Sequence, residues 1–215
     1  MDIRTREAIR YLGYGKHAID ERTSELIQCS FEELEQVSDA KFIYRIFEIS
    51  ELNTNELMIG TLKVQSEKLY RNLHGCHAVV LFCATLGTGV DLLMKRYTVT
   101  DMAKTAVLQA CAAALLEEYC DNIQKQIATE LAKGEYLRPR FSPGYGDFSI
   151  LHQKDLLQMV DASKKIGLSM TDGYMLTPMK SITALIGISY ESADCHMSGC
   201  KVCSRTDCAY RRSEG

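Results

Sequence analysis

Nine consecutive residues, Ala78-Val-Val-Leu-Phe-Cys-Ala-Thr-Leu86, carry no charge and almost no polar surface. A strand that is apolar at every position, rather than at every second one, has both faces covered. The segment therefore predicts the centre of a sheet with material packed on either side, ending in a turn at Gly87-Thr-Gly89. Lys41–Ile49, rich in aromatic and branched residues, reads as a second strand. Leu57–Val64, containing Gly60-Thr61, reads as a third, and the three suggest a meander. Leu168–Thr171 and Ser181–Ser189 complete the strands.

Helical periodicity supplies the rest. Asp2–Gly13 has apolar positions at 8, 9 and 12, and Asp20–Val37 turns Ile19, Leu26, Ile27 and Leu34 inward. Ser66–Leu73 is a short helix. Thr98-Val-Thr100-Asp101 can cap a long one that reaches Lys133 before Gly134 stops it. Its alanine-lined first half, Ala103–Leu116, must lie deep, and the polar half from Glu117 to Glu130 emerges to solvent. Glu135–Phe148 is a loop with two prolines and two glycines. His152–Lys165 is amphipathic, with Leu156, Leu157 and Val160 on one side. Regular patterning stops near Tyr190, so residues 1–190 form the main domain and 191–215 a separate tail.

Twenty-five basic and 28 acidic side chains give a net charge of -3, which offers no strong field for gathering phosphates and speaks against nucleic acid. The uncharged run Thr105–Leu116 falls short of the ~20 residues a spanning helix needs, and no basic segment followed by an apolar run opens the chain. The expectation is a soluble, cytoplasmic protein with no membrane association. Four of the nine cysteines lie in the tail. Cys195, Cys200, Cys203 and Cys208 follow a C-x4-C-x2-C-x4-C spacing that lets one loop wrap four thiolates around a single centre. Structural zinc usually shows two C-x2 knuckles and here there is one, so the spacing favours an iron-sulfur cluster over zinc. Lys201, Arg205, Arg211 and Arg212 would offset the thiolate charge. The other five, Cys29, Cys76, Cys83, Cys111 and Cys120, sit singly and read as small hydrophobes.

Gly87-Thr-Gly89 lacks the third glycine of a dinucleotide fingerprint, since Leu92 stands there, and lacks the Gly-Lys-Ser/Thr of a phosphate loop. It reads as a strand-to-helix turn. His74-Gly-Cys76-His77 precedes the buried strand and reads as structural rather than metal-binding. Arg138-Pro-Arg140-Phe-Ser-Pro-Gly144-Tyr145-Gly146-Asp147 is more pointed. Guanidinium groups, exposed backbone at glycines and an aromatic ring are the equipment for a small anionic or zwitterionic ligand.

Arg140-Phe-Ser-Pro-Gly144-Tyr145 resembles the R-x-x-x-G-Y signature of the activation domain of cobalamin-dependent methionine synthase. Val99-Thr-Asp-Met-Ala, Gly167-Leu-Ser-Met-Thr171-Asp172 and Pro178-Met-Lys-Ser181-Ile-Thr-Ala fit the same domain. The likeness is strongest to stand-alone versions that begin with an Arg10-Tyr-Leu-Gly13-Tyr motif and end in a cysteine cluster followed by Tyr210-Arg211. The resemblance implies an α+β fold, a twisted, largely antiparallel sheet flanked by helices, with the cysteine-rich tail appended. It implies binding of S-adenosylmethionine and reductive methylation of cob(II)alamin carried by a partner, a cobalamin-binding methionine synthase subunit. An electron donor such as flavodoxin is required unless the chain's own cluster relays the electron.

In that frame Arg140 pairs with the ligand carboxylate, and Gly144 and Tyr145 let backbone and ring approach. Glu117 or Glu118 is the carboxylate facing the sulfonium. Gly146 departs from the proline usual after Gly-Tyr in the fused enzymes, and the acidic and histidine residues just beyond it are missing. With no cobalamin, folate or homocysteine module, the chain would act as one component of a methyltransferase. The alternatives are a non-catalytic module that docks on a corrinoid protein, with structural zinc in the tail, and a redox activator of another corrinoid methyltransferase.

Overall fold

A computed structural model of the chain describes residues 2–14 and 19–191. The four tail cysteines, Cys195, Cys200, Cys203 and Cys208, lie outside the described residues. In chain order the elements are helices α1 (Ile3–Tyr11) and α2 (Glu21–Val37), strands β1 (Lys41–Asn53), β2 (Glu56–Ile59) and β3 (Leu62–Gln65), and helix α3 (Glu67–Leu73). Then come β4 (Ala78–Thr85), α4 (Thr88–Thr100), α5 (Met102–Glu130), β5 (Tyr136–Leu137), α6 (Gln153–Met159), α7 (Ala162–Ile166), β6 (Ser169–Met170), β7 (Leu176–Thr177) and β8 (Ser181–Ser189). Two compact units divide the chain. Among the described residues, the first takes those up to Asp39 and Leu86–Ile123, the second Ala40–Thr85 and those from Gln124 to Glu191.

The first unit is helical. Asp2 and Asp20 cap α1 and α2 by accepting the N–H groups of Thr5 at 2.6 Å and Thr23 at 2.7 Å, which satisfies orphan donors of each first turn. Ile27, Phe31 and Leu34 of α2 are buried with Leu86, Val90, Met94, Leu108, Cys111 and Ala112. Leu26, expected inward, is only partly buried, and Phe31 carries more of the face. The Gly87-Thr-Gly89 turn opens α4 directly, as expected. Gly89 has a packing reason as well: a Cβ there would overlap the Val37 carbonyl oxygen at the end of α2. Asp101 caps α5, accepting the Lys104 N–H at 2.9 Å.

The second unit holds a six-stranded sheet in the order β3-β2-β1-β4-β8-β5. Every pairing in it is antiparallel, so the α+β, largely antiparallel expectation holds. β4 sits between β1 and β8, and all eight of its residues are buried. β1 runs on past Ile49 because its first half pairs β4 from Lys41 to Glu48 while its far half pairs β2 from Ile49 to Asn53. The expected single strand Leu57–Val64 is a hairpin. Gly60 adopts φ 55, a conformation suited to a two-residue turn, and Ile59 faces Leu62 across it.

Three more expectations change. The long helix ends at Glu130 instead of Lys133, because the Ala132 N–H turns to the Glu135 carboxylate at 2.9 Å. The His152–Lys165 helix breaks into α6 and α7 at Asp161, which adopts a left-handed conformation at φ 55. Arg45 donates to the Met159 carbonyl there at 3.1 Å and lies 3.7 Å from the Asp161 carboxylate. The break lets Leu156, Val160, Ala162 and Ile166 all reach one core with Val79, Leu81 and Cys83. The Glu135–Phe148 loop is partly sheet, since β5 pairs Tyr136 with Ser189 and Leu137 with Ile188.

Candidate functional site

Beyond β5 the chain keeps following β8. The Arg138 N–H donates to the Gly187 carbonyl at 2.8 Å, and Phe141 and Leu185 exchange both backbone bonds at 2.9 and 2.8 Å. Arg138 is 5% exposed. Its stem crosses β8 at Gly187, where a Cβ would stand 3.0 Å from Arg138 Cγ and 2.5 Å from Cys76 Sγ. The ladder thus fixes the backbone on either side of Arg140.

The next residues fold into a turn that binds itself. Tyr145 N–H donates to the Ser142 carbonyl at 3.1 Å, Phe148 N–H to Tyr145 at 3.0 Å, and Gly144 N–H to Phe148 at 2.7 Å. Phe148 is buried and stacks on His152, with ring centroids 5.5 Å apart. Tyr145 meets Phe141 edge-on at 6.3 Å and is 63% exposed. Gly146 lies at φ 59, a value that proline, locked near -65°, cannot take.

Asp147 ties the turn to α3. Its carboxylate accepts the Ser66 hydroxyl at 2.6 Å, the Glu67 N–H at 2.7 Å and the Lys68 N–H at 3.1 Å. The Ser66 hydroxyl, with the two backbone donors, holds the Asp147 carboxyl below its ordinary range. Ser66 itself accepts the Leu69 N–H at 3.0 Å, so two side chains cap one helix.

Arg140 is half-buried, and its Nη1 donates to Gln124 Oε1 at 2.9 Å. Gln124 Nε2 in turn donates to the Arg138 carbonyl at 3.4 Å. Arg140, Gly144 and Tyr145 thus share one braced segment of the second unit. Glu117 and Glu118 belong to the first unit. There Glu118 Oε2 lies 3.9 Å from Arg4 Nη1. Burial, then the Glu117 charge, raises the Tyr11 hydroxyl above its usual range.

The remaining candidates separate. His74 Nδ1 lies 3.1 Å from Glu51, while His77 Nε2 lies 3.0 Å from Glu135 and its ring stacks on Tyr190 at 4.5 Å. The two histidines thus serve different carboxylates. Among the described residues no group of three or more His, Cys, Asp or Glu is placed to hold a metal ion. Burial pushes the Cys83 and Cys111 thiols up to about 12, which suits packing rather than reaction. Cys29, by contrast, is exposed on α2. No helix among the described residues is long and apolar enough to cross a membrane.

A cavity of about 490 Å³ opens beside α6, α7 and the β6–β7 hairpin, lined by Lys154, Leu157, Asp161, Leu168, Met170 and Tyr174 among others. Neither Arg140 nor Tyr145 borders it. The Arg140 segment instead combines a guanidinium bonded to Gln124, an exposed Tyr145 ring and a glycine turn, residue types suited to an anion-bearing ligand. Sequence reasoning missed Gln124 and the capping role of Asp147. Asp147 and Ser66 are 81 residues apart, and Gln124 sits in a polar helical stretch with no local pattern to single it out.

A family model described as "Vitamin B12 dependent methionine synthase, activation domain" matches residues 70–212. Among solved structures the chain is similar to "Crystal Structure of the MetH Reactivation Domain bound to AdoHcy", with a TM-score of 0.59 and 13% sequence identity. That alignment covers 88% of this chain and 77% of the other, and at this identity it speaks for the fold. No curated protein sequence matches.

Proposed function

Since the chain belongs to the activation-domain family of vitamin B12-dependent methionine synthases, we propose that it is a reactivation subunit that binds S-adenosylmethionine for methylation of a corrinoid on a partner protein. The observation that carries this reading is the Arg140 guanidinium, held by Gln124 at 2.9 Å on the same self-bonded segment that exposes Tyr145. The structurally similar reactivation domain is described as bound to AdoHcy, the same molecule without the methyl group, which gives the ligand class a precedent on this fold.

When bound, S-adenosylmethionine would supply a methyl group on a sulfonium, leaving as the neutral thioether S-adenosylhomocysteine, and the partner's corrinoid, reduced by one electron from a donor such as flavodoxin, would supply the nucleophile. The residues of this chain bind and orient. Arg140 takes the methionyl carboxylate through charge-assisted bonds. At Gly144 a Cβ would meet Ile150 Cδ1 at 3.5 Å, and its absence leaves the backbone open to the ligand, while the Tyr145 ring offers an apolar face. Holding the methyl donor in one orientation removes much of the entropic cost of the transfer.

Calorimetric titration of S-adenosylmethionine into anaerobically purified protein tests the reading. Saturable binding, weakened in Arg140→Ala, supports it. Absence of binding, with and without a corrinoid partner, removes it in favour of a docking module. Metal analysis of the same sample bears on the tail: iron supports an electron relay through Cys195, Cys200, Cys203 and Cys208, and zinc supports the structural alternative.

A further inference from the structure

Protein interiors pack closely, so an open hollow over apolar side chains calls for an occupant. The cavity of about 490 Å³ beside α6, α7 and the β6–β7 hairpin has the size of a small-molecule site. Leu157 and Leu168 line it and are buried, and Met170 beside them is partly buried. All three belong to the core of the second unit. Two of the three non-glycine residues with positive φ among the described residues also line this space, Asp161 at 55 and Tyr174 at 61. For a residue as bulky as tyrosine that conformation is an outlier. The hairpin turn holds it in place: the Tyr174 N–H donates to the Thr171 carbonyl at 2.9 Å, and the Thr171 N–H to the Met175 carbonyl at 2.9 Å. Strain kept up by its surroundings gathers where ligands are held.

The charges at the rim select the ligand. Lys154 and Lys164 line the cavity, both are exposed, and neither pairs with a carboxylate among the described residues. The lining acids are Asp172 and Asp161, and the Asp161 carboxylate already lies 3.7 Å from Arg45. With Arg45 counted, three cations stand against two carboxylates, so the surplus is positive. We propose that this cavity is a binding site for a small organic anion with an apolar ring system, its rings lying on Leu157, Leu168 and Met170 and its anionic group meeting Lys154 and Lys164. A ligand of that kind covers the apolar floor and answers the surplus charge at once. Neither Arg140 nor Tyr145 borders the cavity, and the inference does not depend on the function proposed above.

Fluorescence titration of the full chain compares two probes, anilinonaphthalene sulfonate and phenylnaphthylamine, which has the same rings and no charge. Saturable binding of both is expected. Lys154→Gln combined with Lys164→Gln is expected to weaken the sulfonate about tenfold and to leave phenylnaphthylamine unchanged. Ser163 is an exposed lining residue, and Ser163→Trp, whose ring would take up the space, is expected to weaken both probes. Saturating S-adenosylmethionine is expected to displace neither. No saturable binding of the sulfonate overturns the inference, as does parent-like binding of both probes in Ser163→Trp. If the lysine substitutions leave the sulfonate unchanged, or weaken both probes equally, the rim does not read charge and the inference fails. Displacement of the sulfonate by S-adenosylmethionine would place the probe at the ligand site proposed above and overturns it as well.

Discussion

The two units put polar side chains to different uses. In the first, the polar groups join helices: Glu33 accepts from Lys104 and from the Tyr97 hydroxyl at 2.9 Å, and Arg4 pairs with Glu35 while its guanidinium lies 4.8 Å from the Phe31 ring centroid. Burial raises the Glu33 carboxyl, but the bonds from Lys104 and Tyr97 prevail and hold it below its usual range. Each contact reinforces a helix pair that its apolar face already brings together. In the second unit, Gln124, Arg140, Ser66 and Asp147 spend their bonds on a turn. That turn exposes Tyr145 and uses positive φ at Gly144 and Gly146. Binding residues concentrate on partly exposed loops of that kind, and this is the segment we propose to hold the ligand.

Substitutions at the close-packed glycines should affect both units through stability. Gly89→Ala places a methyl group against the Val37 carbonyl, a backbone atom that cannot swing aside. A loss of about 3 kcal/mol is expected by chemical denaturation. Gly187→Ala should cost less, about 2 kcal/mol, since the atoms it meets belong to the side chains of Cys76, Arg138 and Leu73. Cys76→Ala added to Gly187→Ala should return part of that loss by removing the 2.5 Å contact. Additive costs in the double variant would mean that Arg138 or Leu73, not the thiol, sets the limit.

The contrast also explains what the sequence made legible. Helices capped by Asp2, Asp20 and Asp101 could be located because cap and periodicity lie within a few residues of each other. β4 was legible because burial on both faces removes polar residues altogether. The break at Asp161 was not, because Leu156, Leu157 and Val160 satisfy helical spacing and only tertiary packing of Arg45 on Met159 reveals the kink. Arg140, Gly144 and Tyr145 were found through a motif, yet nothing local names Gln124, 16 residues upstream, as the partner of that guanidinium. Local rules reach elements, and sites assembled by long-range pairing need the fold.

Arg140→Ala sharpens the comparison from the opposite side. The residue is half-buried on a ladder whose backbone bonds do not depend on its side chain. The melting temperature should therefore move by no more than about two degrees, while affinity for S-adenosylmethionine falls roughly tenfold or more. A large loss of stability would put Arg140 among the framework residues and erase the distinction between the site and its support.

The smallest effect is expected at Asp147, and its sign follows from its bonds. The Ser66 hydroxyl and the Glu67 and Lys68 N–H groups favour the ionised carboxylate and hold its pKa below the ordinary carboxylate range. The folded chain therefore binds this proton less readily than the unfolded one. The stability it contributes is fully present above the unfolded pKa, declines as pH falls below it, and is gone once pH has passed the folded value. Asp147→Asn keeps the turn's shape but cannot titrate. Melting curves of parent and variant should lie a degree or two apart at pH 7 and draw together as pH falls below the ordinary carboxylate range. A gap that does not narrow at all as pH falls through the acid range would show that Asp147 acts through packing and not through its charge. The cap would then say nothing about why the turn is anchored to α3.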